Sequence, residues 1–324
     1  MRRRDVLALL SGVAVARPWA ALAQQRPVPR IGYLSLAPGP SPRSEALLQG
    51  LREHGYVEGQ SITLDYRWAD GDLDRLQAAA ADLVRAGADV IVTGGPAATA
   101  AARQATTTIP IVMAVDYDPV GAKFVGSLAR PGGNITGLSI LNPGLSGKRL
   151  ELLKETVPGI TLVAVLWDPA EPNAASYLTK TQDAAPSLGV RLQPLELRAP
   201  ADIQADFRAA KAAGADGLTV LTDFITLYHR AELADLAAQY RLPAIYSERL
   251  FVEAGGLMSY GASDRDLHRL AAAYVDKILR GAKPADLPVE QPTRFELVIN
   301  LRAAKPLGIV VPPAILERAD DVLE

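Results

Sequence analysis

Polar and aromatic residues follow the predicted strands of this chain, at the ends where parallel sheets bind their ligands. In open α/β sheets, ligands lie beyond the carboxyl ends of the strands, near the N-termini of the following helices. A mixture of polar groups and aromatic rings suits a small amphipathic molecule. The sequence therefore predicts a binding site formed by Ser35, Thr93, Gly94, Gly95, Asp116 and Tyr117 from the first half of the chain and by Asn173, Thr222, Asp223, Tyr246 and Tyr260 from the second.

Two parts of this predicted site would bind groups of opposite charge. Gly94 and Gly95 precede Pro96, which is favourable as the first residue of a helix, and the unpaired N–H groups there favour a carboxylate. Asp223 ends the equivalent strand in the second half, where an ionised carboxylate would bind an amine. Together they would hold an α-amino acid or a similar small carboxylate. The alternatives are that the glycines form only a tight turn and that Asp223 only caps a helix.

Residues for catalysis do not occur in a recognisable arrangement. The three histidines, His54, His229 and His268, fall on separate predicted helices, and we expect them on solvated faces. The sequence has no G-x-S-x-G motif and no glycine-rich phosphate motif, and no histidine joins Asp116 and Asp118 to form a metal site. We therefore expect no catalysis, no cofactor and no metal. An exported enzyme for a small polar metabolite and a ligand-sensing receptor domain are the alternatives.

The elements that position these residues are repeated along the chain. Residues 87–89 (Gly-Ala-Asp) open a buried strand that stops at Thr93, and residues 214–216 (Gly-Ala-Asp) open another that stops at Thr222. A helix and a strand preceded by proline follow each copy. Short apolar strands flanked by helices are typical of parallel sheets covered on both faces. Two such halves predict two lobes with a cleft between them.

Strands and helices alternate throughout both halves, which is the pattern of doubly wound sheets. We expect a helix over residues 118–130 in the first half and one continuous helix over residues 225–240 in the second. The predicted fold class is α/β, with two doubly wound parallel-sheet lobes joined by a hinge.

Composition excludes several kinds of function. The chain has 324 residues, a net charge of −2 and no cysteine. This length is sufficient for two medium-sized domains. No basic stripe follows the N-terminus, so nucleic acid is not an expected partner. The absence of cysteine excludes disulfides, thiolate metal sites and an N-terminal lipid on cysteine.

Residues 1–23 have the features of a signal peptide. A positive start, Arg2 to Arg4, precedes an apolar run over residues 6–16 that is too short to span a bilayer. Residues 21–23 (Ala-Leu-Ala) form a cleavage site after Ala23. The adjacent arginines favour the twin-arginine export route, and an ordinary Sec signal is the alternative. We therefore expect a cleaved, periplasmic protein.

Sequence runs across nearly the whole mature chain resemble one family. The chain is similar to ABC-transporter substrate-binding proteins related to the aromatic-amino-acid uptake binding proteins, which have the type I periplasmic-binding fold. The runs that carry this resemblance are residues 49–60 (QGLREHGYVEGQ), 105–112 (ATTTIPIV), 118–120 (DPV), 127–137 (SLARPGGNITG), 147–153 (GKRLELL), 255–261 (GGLMSYG) and 274–292 (YVDKILRGAKPADLPVEQP).

The resemblance implies a soluble, monomeric receptor that captures a small molecule by hinge closure and delivers it to an ABC permease in the inner membrane. It implies ligand contacts from residues 93–98, from the segment around Asn173, and from Thr222 and Asp223. Better-studied relatives have Asp-Asn where this chain has Asp223 and Phe224, so the resemblance does not carry aromatic specificity over. The expected division is residues 30–137 with 264–288 in one lobe and residues 142–261 with 295–324 in the other.

Overall fold

The structure is a computed structural model that describes residues 28–140, 144–171 and 174–324. Within these ranges the chain forms two α/β lobes, each built around its own sheet. We call the lobe with the first sheet lobe 1 and the lobe with the second sheet lobe 2. The predicted fold class is confirmed. The signal peptide predicted at residues 1–23 lies outside the described residues.

Lobe 1 contains a five-stranded sheet in which all neighbouring strands are parallel. Its strands are β1 (Arg30–Ser35), β2 (Thr63–Trp68), β3 (Val90–Thr93), β4 (Ile111–Met113) and β5 (Ile135–Gly137), in the spatial order β2-β1-β3-β4-β5. Three helices connect them: α1 (Pro42–Glu53), α2 (Leu73–Arg85) and α3 (Pro96–Ala105). The direction of the strand order reverses between β1 and β3, so the loops that follow these two strands diverge and leave a crevice.

Lobe 2 contains a seven-stranded sheet that is parallel except at one edge. Its strands are β6 (Leu162–Trp167), β7 (Arg191–Glu196), β8 (Gly217–Val220), β9 (Ala244–Tyr246), β10 (Met258–Ala262), β11 (Phe295–Asn300) and β12 (Asp321–Leu323), in the order β12-β11-β10-β9-β8-β6-β7. The antiparallel contact is the one between β10 and β11. The order reverses between β6 and β8, which places a second crevice beside the loops after those strands.

Helices cover both faces of the second sheet, and one further helix returns to lobe 1. They are α4 (Leu145–Thr156), α5 (Ala174–Ala184), α6 (Ile203–Ala212), α7 (Phe224–Tyr228), α8 (Arg230–Gln239), α9 (Arg249–Glu253), α10 (Asp264–Leu279), α11 (Leu301–Leu307) and α12 (Pro313–Leu316). In the described part of the chain, no helix has the length and apolar character needed to cross a membrane.

Helix α10 leaves lobe 2 after β10 and packs against α1 of lobe 1. The two helices approach closely at Gly50, where an added Cβ would lie 2.3 Å from the carbonyl oxygen of Arg269. Only glycine permits this approach. The chain then pairs with lobe 1 through a bridge between Leu138 and Glu290 before it enters β11 in lobe 2. Together with the earlier passage from β5 to α4, three connections therefore join the lobes.

Each sheet is packed between two apolar layers. In lobe 1 one layer includes Ile31, Leu51 and Val275, and the opposite layer includes Leu83 and Ile91. Lobe 2 repeats this arrangement with separate clusters on its two faces. Burial on both faces explains why the central strands are continuous apolar runs in the sequence.

The structure corrects two predicted helices. Residues 118–130 form turns rather than a helix, because Lys123 has a left-handed backbone (φ 57°) and the amides of Phe124 and Val125 both bond back to the carbonyl of Pro119. The helix predicted over residues 225–240 is divided at His229 into α7 and α8.

The prediction of solvated histidines is wrong for one of the three. His268 on α10 is fully buried, with its Nδ1 2.8 Å from the carbonyl oxygen of Asp264 and its ring 6.1 Å from that of Tyr33. Burial lowers the pKa of His268 to about 4. The ring is therefore neutral at physiological pH and acts as part of the lobe 1 core.

Candidate functional site

A cleft of about 710 Å³ lies between the lobes, and we call it the main cleft. On the lobe 1 side the loops after β1 and β3 line it, and on the lobe 2 side α7 and α9 line it. These loops flank the point where the strand order of lobe 1 reverses, which is the usual ligand position in open α/β sheets. Its lining includes Ser35, Arg43, Gly94, Gly95, Tyr117, Glu171, Asp223, Leu227, Tyr228 and Asp264.

A smaller space of about 40 Å³ adjoins the main cleft, and we call it the inner cavity. The two share Tyr117, Glu171, Asp223 and Ala262 among their lining residues. At about 10–15 Å³ for each water centre, the inner cavity has room for roughly three waters, which is the size of a polar head group. Lobe 2 supplies most of its polar lining, namely Arg149, Asp168, Glu171, Tyr177, Thr222, Asp223 and Ser247.

Asp223 stands where the two spaces meet, and its two carboxylate oxygens have different roles. It is the N-cap of α7, and its Oδ1 accepts a hydrogen bond of 2.8 Å from the amide of Thr226. Its Oδ2 is buried and has no hydrogen-bond partner among the described residues. Burial, with smaller contributions from the nearby charges of Asp168 and Glu171, raises the pKa of the Asp223 carboxyl to about 6. One oxygen therefore stabilises the helix, and the other is available to a cationic ligand group.

Gly94 and Gly95 line the main cleft but not the inner cavity. A Cβ at Gly94 would lie 2.8 Å from the Tyr33 hydroxyl, and Gly95 has a φ of 134°, so both positions need glycine. Thr93 lines neither space, and its buried hydroxyl pairs with that of Thr99 at 2.8 Å. Ser35 lines the cleft, and its hydroxyl accepts a hydrogen bond from the amide of Ala37.

Asp116 lines neither space. It is buried at the end of β4, where its Oδ1 accepts a hydrogen bond from the amide of Asp118 and its Oδ2 has no partner among the described residues. Burial raises the pKa of the Asp116 carboxyl to about 7. The structure therefore places this residue outside both spaces.

Two predicted tyrosines also lie outside both spaces. Tyr246 is fully buried in the lobe 2 core, with its ring stacked on Phe251 at 4.6 Å, because its strand ends beneath α9. Tyr260 packs against the other face of the lobe 2 sheet, 6.2 Å from the ring of Phe295.

Thr222 lines the inner cavity, and its hydroxyl forms a hydrogen bond with that of Ser247. The predicted contact Asn173 lies outside the described residues.

A polar network crosses the cleft, and sequence reasoning did not identify two of its charged members, Arg43 and Asp264. Tyr117 of lobe 1 donates a hydrogen bond of 2.7 Å to Glu248 of lobe 2. Arg43, at the start of α1, pairs with the same carboxylate at 3.1 Å and also with Asp264. Arg43 follows the carboxyl end of β1, so the strand-end rule that selected Ser35 could have found it. The network joins the lobes beside the cleft.

Arg149 is the second functional candidate that the sequence did not reveal. It lies on α4, is only 6% exposed and lines the inner cavity. Its Nε donates a hydrogen bond of 2.7 Å to the carbonyl oxygen of Tyr260. Arginines are common on helix surfaces, and the run around Arg149 has no feature that marks the residue as buried. Only the packing of α4 against lobe 2 reveals it.

Comparison with known proteins identifies a family. The model of the family described as ABC transporter substrate binding protein matches residues 38–323. A curated tyrosine-binding protein from Clostridioides difficile (strain R20291) is 28% identical over 282 residues, covering 86% of this chain and 81% of that protein.

Two solved structures are similar over 91% of this chain and 99% of theirs. One is an ABC domain from Streptococcus pneumonia in complex with L-Trp, with 28% identity and a TM-score of 0.82. The other is a ligand-free, open substrate-binding protein with adhesive properties from Clostridium difficile, with 25% identity and a TM-score of 0.71. The two-lobed fold and the matched family agree, and the chain therefore belongs to the ABC transporter substrate binding proteins.

Proposed function

We propose that this protein is the receptor of an ABC importer and binds a free amino acid between its two lobes. The observation that carries this proposal is the Oδ2 of Asp223, which has no hydrogen-bond partner within the described ranges and lies at the junction of the main cleft and the inner cavity. A buried carboxylate oxygen in a ligand-sized cleft is a binding partner for an ammonium group. The similarity to proteins described as binding tyrosine and L-Trp supports the same ligand class.

Hinge closure is the proposed mode of capture. The lobes are joined by three connections, and Tyr228 of lobe 2 lies against Gly71 of lobe 1, where an added Cβ would be 2.5 Å from the tyrosine ring. The higher TM-score to the L-Trp complex than to the ligand-free, open structure supports a closed form of this kind. Ligand binding across both lobes would favour the closed form over the open one.

Delivery to a permease completes the proposal. Relatives in this family are substrate-binding proteins, and such proteins typically act outside the cytoplasm. We propose that the chain is exported to the periplasm after cleavage near Ala23, binds as a monomer and catalyses no reaction. N-terminal sequencing of the exported protein tests the cleavage, and a start before residue 20 would contradict it.

A thermal-shift screen of the purified protein with the twenty L-amino acids tests the binding proposal. A ligand that binds only the folded state raises the unfolding temperature. At a hundredfold excess over Kd, it adds about 2.7 kcal/mol to the free energy of unfolding. We expect at least one amino acid to produce a saturable shift. A flat response to all twenty would contradict the proposed function.

A further inference from the structure

The inner cavity contains a buried cation, Arg149, that forms no salt bridge with any described residue. Among the described residues, no carboxylate lies within ion-pairing distance of Arg149, and the hydrogen bond to Tyr260 uses only its Nε. A guanidinium has five N–H donors, so most of the donor capacity of Arg149 is unused by the described part of the chain. Burial lowers the pKa of Arg149 to about 10, and the group is still charged at neutral pH. An unpaired buried charge is costly unless a ligand completes it.

Carboxylates line the same small space. Asp168, Glu171 and Asp223 all contribute to the inner cavity. Burial raises the pKa of Glu171, and the charges of Asp168 and Asp118 raise it further. A cation and several acids therefore line one cavity without pairing with each other. A ligand that carries both charges would neutralise both groups.

The small size of the inner cavity favours Arg149 over Gly94 and Gly95 as the group that binds the ligand carboxylate. The ammonium and carboxylate of an α-amino acid share one carbon, so their protein partners must line the same small space. Asp223 and Arg149 both line the inner cavity, whereas Gly94 and Gly95 line only the main cleft. Helix α4, twelve residues long, begins at this cavity with Leu145, and the positive end of its dipole adds to the attraction for an anion.

We propose that Arg149 binds the α-carboxylate of the ligand, with Asp223 and Glu171 receiving its ammonium group. This assignment rests on the proposed amino-acid binding and specifies it further. The ligand is a free α-amino acid, with both charged ends in the inner cavity and its side chain in the main cleft. Arginine suits this role because its planar fork matches a carboxylate with two parallel hydrogen bonds. Amino-acid amides, which lack the negative charge, should bind more weakly than the acids.

Calorimetric titration with the twenty L-amino acids and their α-amides tests the assignment. For any amino acid that binds, we expect the wild-type protein to prefer the acid to its amide by at least about 30-fold, since loss of a buried charge partner has effects of this size. In Arg149→Gln the affinity for the acid should fall to near that for the amide. Arg149→Lys, which keeps the charge but not the fork, should be intermediate.

The control is Lys148→Gln, which changes the neighbouring residue on α4. Lys148 pairs with Glu151 at 2.7 Å and lines neither space, so its loss should leave the preference unchanged. A wild-type protein that binds an amide as tightly as the acid would overturn the assignment without any variant, even if Arg149→Gln does not fold. An unchanged preference in Arg149→Gln would also overturn it and leave amino-acid binding intact. No binding to any amino acid would refute the proposed function itself.

Discussion

At the scale of single residues, Asp223 serves both the fold and the site. Its Oδ1 caps α7, and its Oδ2 has no partner among the described residues. The side chain is 3% exposed, so solvent does little to compensate that oxygen. The two interpretations of this residue from sequence, helix cap and ligand contact, are therefore compatible. Substitution can separate them.

Asp223→Asn should lower affinity for the amino acid by about 30-fold or more while leaving the fold intact. Asparagine is as good an N-cap as aspartate, so α7 keeps its capping hydrogen bond, but the negative charge that would bind the ammonium group is lost. Calorimetry measures the affinity and thermal unfolding measures the fold. Asp183→Asn changes an acid that is 61% exposed and serves as the control. Normal binding by Asp223→Asn would reduce Asp223 to a helix cap.

Asp116 gives a prediction about pH. Burial raises the pKa of its carboxyl to about 7 in the folded protein, whereas an unfolded aspartate titrates near 3.9. Between these values the folded protein holds a proton that the unfolded chain releases, so this group lowers stability as pH rises from about 4 to 7. Asp116→Asn removes this effect. The gain in the free energy of unfolding of the variant over the wild-type protein should therefore be larger at pH 8 than at pH 5, by about 1 kcal/mol or more.

Denaturant unfolding at pH 5 and pH 8 measures this difference. Asp235→Asn changes an exposed acid on α8 and should show the same small effect at both pH values. If Asp116→Asn changes stability equally at both, Asp116 has no raised pKa in the folded protein.

At the scale of elements, local patterns predicted most strands and helices, and the buried strands among them, but not the burial of particular side chains. Strands such as β3 and β8 are continuous apolar runs bounded by turn residues, and a single window of sequence contains that information. The failure at residues 118–130 arises from the left-handed backbone of Lys123, which composition does not indicate. Arg149, Tyr246 and His268 were missed or misplaced for another reason. Their burial depends on elements that are distant in the sequence.

The contact of α1 with α10 gives an element-scale prediction. Alanine is normally preferred to glycine inside a helix by about 1 kcal/mol, so propensity alone predicts that Gly50→Ala stabilises the protein. The added Cβ would instead meet the Arg269 carbonyl at 2.3 Å and the Ala272 Cβ at 2.8 Å. We expect net destabilisation of about 1–3 kcal/mol from this overpacking, measured by urea unfolding.

Gly159→Ala is the matched control, because an added Cβ there has no atom within 4 Å. It should change stability little. Should Gly50→Ala prove as stable as the wild-type protein, α10 is not held against α1 as tightly as the structure indicates.

At the scale of the whole molecule, the proposed closure would bring groups from both lobes to one ligand. The main cleft has lining from both lobes, whereas the inner cavity is lined largely by lobe 2. A ligand bound first to lobe 2 would therefore be enclosed when lobe 1 rotates towards it. Small-angle scattering should show a smaller radius of gyration at saturating amino acid than without it. An unchanged radius would contradict closure, and Asp223→Asn at the same concentration provides the unliganded control.

The central claim is that one amino acid lies between the lobes with its ammonium group on Asp223. A crystal structure of the complex with the amino acid that gives the largest thermal shift tests it most directly. We predict a ligand nitrogen within about 3.2 Å of the Asp223 Oδ2, hydrogen-bond distance for a charged pair, and a side chain that extends into the main cleft. A ligand outside the cleft, or an ammonium group out of reach of Asp223, would contradict the claim.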